Sequence, residues 1–230
     1  MRIDRAGLLV AAAGFAIWIC NSAHADWLVT TYNAPANQPF FTLDHADAVV
    51  ANSANRVGSG LYLTFNSEDE ADYGFYPNGN KPPGLTAVDN DFFAVTGSGY
   101  LSVLIEGDYK FGELSDDGAR LSLDGSSIII DGTPHAAFPQ NVQYSPLLHL
   151  SAGFHPIDML YFEVGGFAGA EVFLVNPADN SRIALVGDVA HGGLPVAQST
   201  VPEPGVFSVL ALGSCLAFGN TRRFTRRKRR

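Results

Sequence analysis

The central part of this 230-residue chain predicts an all-β fold, an antiparallel β-sandwich. Three observations carry that expectation. Between about Asp26 and Thr200, apolar side chains recur with a period of two in short segments, separated by Gly, Asn, Asp and Pro. Asp124-Gly125 stands between Leu121/Leu123 and Ile128/Ile130, and Asp-Gly tolerates the positive φ angles of a two-residue hairpin turn. No stretch of the body carries a long helical period.

In chain order, residues 1–25 read as a secretory signal peptide. Arg2 and Arg5 precede the apolar stretch Ala6 to Ile19, and Ala23-His24-Ala25 supplies a small-x-small cleavage pattern, so the mature chain is expected to begin near Asp26. Cys20 is not read as a lipidation site, because Trp18 and Ile19 are too bulky for the positions before a lipidated cysteine. The domain expected over 26–186 offers candidate strands at Leu61 to Phe65, Phe92 to Thr96, Tyr100 to Ile105, Tyr109 to Leu114 and Arg120 to Leu123. Further candidates are Ser127 to Ile130, Leu147 to Leu150, Ile157 to Val164 and Glu171 to Val175. In the strand beginning at Ile157, Ile157, Met159 and Tyr161 share one face while Leu160 and Phe162 share the other. A strand apolar on both faces belongs at the centre of a sheet. Asn66 to Asn90, rich in acids, Asn, Gly and Pro, reads as a long surface loop, and 187–200 as a linker.

The chain closes on Val201-Pro202-Glu203-Pro204, an apolar run and a tail from Arg222 to Arg230 that is mostly arginine. A helix over 205–220 would rise roughly 24 Å, short of a hydrocarbon core of about 30 Å, but flanking arginines snorkel to the interface and belong on the cytoplasmic side. The body would then lie outside.

Charge sharpens once these ends are set aside. The body holds five Lys and Arg against twenty-one Asp and Glu, a formal charge of −16, whereas the whole-chain value is −9. Such a surface repels phosphate backbones, which argues against nucleic acid, and suits cations or neutral, hydroxyl-rich ligands. Both cysteines, Cys20 and Cys215, fall in the terminal segments, so the body has no disulfide, thiol nucleophile or cysteine metal site. It must fold on its apolar core, and about 175 residues suffice to bury roughly 70% of the unfolded surface.

The Val201-Pro202-Glu203-Pro204 motif, the apolar run and the basic tail together resemble the PEP-CTERM sorting signal. That resemblance implies export, transient anchoring in the inner membrane, and processing at Pro202-Glu203-Pro204 by a membrane protease of the exosortase type. A second resemblance lies in the body. The phrase Tyr100 to Phe111, then Ser115-Asp116-Asp117-Gly118-Ala119-Arg120-Leu121-Ser122-Leu123-Asp124-Gly125, and later Leu150 to Ile157 with Tyr161-Phe162-Glu163, resemble the PA-fourteen domain. This is the β-sandwich shared by protective antigen, flocculin-type adhesins and bacterial glycan-active proteins, and the likeness covers about Phe92 to Asn176.

In adhesin members of that family two consecutive aspartates, joined by a cis peptide bond, bind calcium and present it to sugar hydroxyls; the matching residues are Asp116 and Asp117. Adjacent carboxylates repel unless a cation lies between them, and calcium takes six to eight oxygen ligands. The resemblance sets Glu163 where adhesins place an Asn ligand, a departure from their pattern, and lets the Gly165-Gly166-Phe167 loop supply backbone carbonyls, so that Gly165 and Phe167 join the expected ligand-binding residues. The competing reading makes Ser115-Asp116-Asp117-Gly118 a tight turn whose Asp side chains bond nearby amides.

Other patterns are weak. Asp89-Asn90-Asp91 lacks the glycine and terminal glutamate of a helix-loop-helix calcium motif, and His135, His149, His155 and His191 show no paired ligand spacing. No Gly-x-Ser-x-Gly elbow, His-Glu-x-x-His motif or phosphate loop occurs in the body, and catalysis is not expected. The function expected is an exported surface or matrix protein that binds extracellular polysaccharide with calcium. The alternatives are a structural matrix protein that binds no sugar and, third, a glycan-active enzyme.

Overall fold

The computed structural model describes residues 26–35, 42–66, 82–85, 92–165 and 168–198, all within the unit His24–Thr200. The strands are β1 (Trp27–Asn33), β2 (Arg56–Tyr62), β3 (Phe93–Val103), β4 (Gly107–Tyr109), β5 (Phe111–Asp116), β6 (Gly118–Leu123) and β7 (Ser126–Asp131). They continue as β8 (Gln143–Tyr144), β9 (Leu148–Leu150), β10 (Gly153–Glu163), β11 (Gly169–Val175), β12 (Arg182–Leu185) and β13 (Val196–Ala197). Every pairing is antiparallel. A large sheet runs β2-β1-β3-β10-β6-β7 with β13 also on β3, a smaller sheet runs β12-β11-β5-β8, and β4 and β9 form a two-stranded ribbon.

The core lies between the two larger sheets. Trp27, Val95, Leu101, Leu121, Ile157, Met159 and Tyr161 from one meet Phe111, Ala170, Val172 and Leu174 from the other. Each large side chain removed from water there contributes about 1.5–3 kcal/mol of transfer free energy. Asp124 and Gly125 both take positive φ, 51° and 76°, and turn β6 into β7 as their sequence predicts. β10 is central, between β3 and β6.

Why β10 is buried on both faces was not legible from its own residues. A helix, α1 (Leu43–Ala51), lies on the outer face of the large sheet, where Leu43, Ala46 and Val49 pack on Ala94, Leu160 and Phe162. Thr42 caps it, its hydroxyl accepting the His45 N–H at 3.4 Å. Arg120 of β6 ties it down with two hydrogen bonds to Asp47, of 2.7 and 2.9 Å. Nine residues with three buried apolar positions make too short a pattern to register as a long helical period.

Several strand bounds differ from the sequence reading. Two predicted segments merge into the eleven residues of β3, because Gly97 does not break the strand but admits the Phe65 ring, which a Cβ there would meet at 2.5 Å. Tyr109 to Leu114 divides instead, since the chain leaves β9 after Tyr109 and joins β11 from Phe111. The predicted Leu61 to Phe65 strand is displaced to Arg56–Tyr62, and β1 was not among the candidates. The described part of the expected linker, Gly187 to Gln198, packs on the body. Gly187 N–H bonds the Leu194 carbonyl at 2.8 Å, and Val196, fully buried, pairs with Leu101. Short, glycine-rich segments with scattered apolar residues look like linkers when their tertiary partners are unknown.

The expected signal peptide (1–25) and the sorting segment with Pro202, Glu203, Pro204 and the 205–220 run lie outside the described residues, as does Asp89-Asn90-Asp91. Among the described residues no helix is long and apolar enough to cross a membrane.

A candidate metal centre

Asp116 is the last residue of β5 in the smaller sheet and Gly118 the first of β6 in the larger one, so the chain changes sheets at Asp117. The aspartate pair therefore sits at the rim where the layers meet, and the peptide bond joining Asp116 to Asp117 is cis. Gly118 is required there: a Cβ would come within 2.6 Å of the Asp131 carbonyl oxygen and 2.7 Å of the Phe162 ring. The register that pairs Phe162 with Gly118 brings the end of β10 alongside, and Asp117 N–H donates to the Phe162 carbonyl at 3.3 Å. Glu163, the last residue of β10, thus reaches the aspartates from the neighbouring strand.

One carboxylate oxygen from each of Asp116, Asp117 and Glu163 lies within 4.8 Å of the others. Calcium binds oxygen at about 2.3–2.6 Å, so two oxygens sharing one ion stand no more than about 5 Å apart. The donor set is all hard oxygen and fits calcium in kind. Three carboxylates do not complete a shell of six to eight, which leaves positions for water or a ligand hydroxyl.

Main-chain amides and one phenol hold the cluster. Val164 N–H donates to Asp117 Oδ2 at 2.6 Å and Gly165 N–H to Glu163 Oε1 at 2.7 Å. Tyr161, fully buried, places its hydroxyl between Glu163 Oε2, at 2.7 Å, and the Asp116 carbonyl oxygen, while accepting the Gly169 N–H at 2.9 Å. The Asp116 carboxylate accepts the Ala137 N–H. Burial pushes Glu163 up to about 9, the neighbouring Asp117 and Asp116 charges adding to the rise against the opposing Tyr161 hydrogen bond. Burial and then the Asp117 charge raise Asp116 to about 6, and burial raises Asp117. The cluster thus favours holding protons until a positive charge replaces them.

The structure brings together Asp116, Asp117 and Glu163, with Gly165 beside them as an N–H donor; Phe167 lies outside the described residues. The sequence reading missed Tyr161 as the organising phenol and the His135 and Ala137 contributions to the aspartate pair. His135 bonds Asp131 at 2.7 Å, and its positive charge favours the ionised forms of Asp116 and Asp117. No local signal marks either role, because both depend on contacts across the sheets. The four histidines without paired ligand spacing all pair with carboxylates: His135 with Asp131, His149 with Asp108 and Glu106, His155 with Asp124, and His191 with Asp188.

Known proteins share this fold. No curated protein matches the chain. Among solved structures, the PA14 domain of the antifreeze protein MpAFP is similar at a TM-score of 0.58 and 16% identity, over 77% of this chain and 93% of that one. A PA14 sugar-binding domain from an RTX adhesin matches at 0.52 and 16%, over 75% and 94%. The Epithelial Adhesin 9 A domain from Candida glabrata, solved with Galb1-3GlcNAc, matches at 0.51 and 14%, over 77% and 91%. Identities this low carry the fold alone. The PA14 domain profile matches residues 51–181, a wider stretch than the phrases from Phe92 to Asn176 suggested, and with more than half its length inside that match the chain belongs to the PA14 domain family.

Proposed function

We propose that this protein is an exported carbohydrate-binding adhesion module, not an enzyme, that uses calcium held by Asp116, Asp117 and Glu163 to bind the hydroxyls of an extracellular polysaccharide. The observation that carries the reading is the meeting of those three carboxylates within 4.8 Å at a sheet rim. Bound there, calcium would supply coordination positions for neighbouring sugar hydroxyls. The chain's own part is to orient the acids. Val164 and Gly165 amides fix Asp117 and Glu163, and Tyr161 links Glu163 to the Asp116 main chain. The sugar-binding RTX adhesin domain and the glycan-bound Candida glabrata adhesin domain, which share the fold, support this reading. The −16 body suits a cationic mediator and a neutral ligand.

In this reading the 1–25 segment directs export, and Pro202-Glu203-Pro204 with the 205–220 run and basic tail holds the protein at the inner membrane until an exosortase-type protease releases it to the surface or matrix. A glycan array probed with and without calcium tests the binding step. Calcium-dependent signals that vanish in Asp117→Asn are expected. Calcium-stabilised protein with no glycan signal would favour the structural matrix role, and absence of any calcium response would refute the metal reading.

A further inference from the structure

Phe111, Glu113 and Ser115 alternate on the face of β5 that looks into the sandwich, opposite Leu174, Val172 and Ala170 of β11. Glu113 is therefore a core residue, with no exposed surface. Neither of its carboxyl oxygens, nor the Ser115 hydroxyl two residues on, makes a hydrogen bond that meets geometric criteria, although Ser115 lies near enough to favour the charged form, in opposition to burial. An isolated charge in such a place is far costlier than a neutral acid.

The surroundings offer no compensating cation among the described residues. β11 contributes Glu171, held by Arg182 of β12 at 2.7 Å, and β7 contributes Asp131, held by His135 at 2.7 Å. Arg120 of β6 is engaged by Asp47 at 2.7 Å, and Lys110, just before β5, by Asn180 at 2.7 Å and the Tyr144 ring of β8. Tyr161 and Glu163 of β10 bond each other, and Asp116 at the end of β5 accepts Ala137 N–H. The charged groups that act on Glu113, Asp131 and Glu171, are both acids.

We propose that Glu113 is held inside the sandwich as an uncharged acid and makes the domain's stability fall as the medium turns from acidic to mildly alkaline. Burial, reinforced by Asp131 and Glu171, raises this carboxyl from 4.5 to about 8. Because the folded value exceeds the unfolded one, its contribution is intact below about 4.5, is lost progressively as pH rises towards about 8, and then levels off once both states are ionised. Glu113 lies three residues before Asp116 and outside the carboxylate cluster, so the effect holds whether or not calcium binds.

The test is the unfolding equilibrium of the full chain and of Glu113→Gln, measured in chelator from pH 5 to 9.5. Other titrating groups, Glu163 among them, are common to both proteins and cancel in their ratio. The wild-type unfolding constant should rise relative to that of Glu113→Gln by on the order of a hundredfold between pH 5 and 8 and then level off. Ratios that stay constant across that range overturn the inference. Should Glu113→Gln fail to fold, Glu113→Leu, neutral at every pH, takes its place with the same expected divergence. Independently, a wild-type-minus-variant infrared difference spectrum at pH 6.5, in which the neutral Glu163 common to both proteins cancels, should retain one carbonyl band of a neutral carboxylic acid, and absence of that band also refutes it.

Discussion

Replacing Asp117 by Asn removes one charge from the rim cluster while keeping an oxygen to accept the Val164 amide, now at 2.6 Å. At separations of 4.8 Å two unit charges repel by about 3.5 kcal/mol at an effective dielectric of about 20. Three fully ionised carboxylates would thus carry about 10 kcal/mol of mutual repulsion, which adds to the burial that chiefly retains the protons and makes a divalent ion the natural counter-charge. Calcium at a hundred times its dissociation constant stabilises the folded state by about 2.7 kcal/mol. For a domain of this size, where each kcal/mol moves the midpoint by about 2–4 °C, melting should rise by roughly 5–11 °C. Differential scanning calorimetry in calcium and in chelator reads this directly. The wild type should show the rise, and Asp117→Asn should lose it while melting within a few degrees of the wild type in chelator. Identical wild-type midpoints in both buffers, or a full rise in the variant, would refute the carboxylate-cation account.

Three other perturbations probe the same architecture. Since Asp116 holds its proton up to about 6 and Glu163 up to about 9, raising the pH frees both carboxylates, and calcium affinity measured by titration calorimetry should climb between pH 6 and 9; a flat profile would mean these groups do not ligate. Gly118→Ala forces a Cβ against the Asp131 carbonyl and the Phe162 ring, so urea unfolding should register a loss of about 1–3 kcal/mol together with weakened calcium binding. An unchanged midpoint would show that the rim can relax. Leu160→Ala opens a cavity beneath α1, with an expected cost of about 2–5 kcal/mol in the same assay, and a cost below 1 kcal/mol would mean the helix contributes little to the core.

Residue pattern alone determined the sheet class, the Asp124-Gly125 hairpin and the central place of the Ile157 strand, because alternation and turn chemistry are local properties, whereas Asp116 and Asp117 were singled out through the family resemblance. The steric reason for the glycine of Ser115-Asp116-Asp117-Gly118 was not legible locally, because it lies in Asp131 and Phe162. Only tertiary structure decided that α1 covers the outer face, that Val196 completes β3, and that Tyr161 joins Glu163 to the Asp116 main chain. Each of these rests on strand register and layer crossing between residues far apart in the chain. Glu113 is the sharpest case. In sequence it is one acid among twenty-one in the body, and it becomes a buried, unpaired group only when β5 turns it inward against β11.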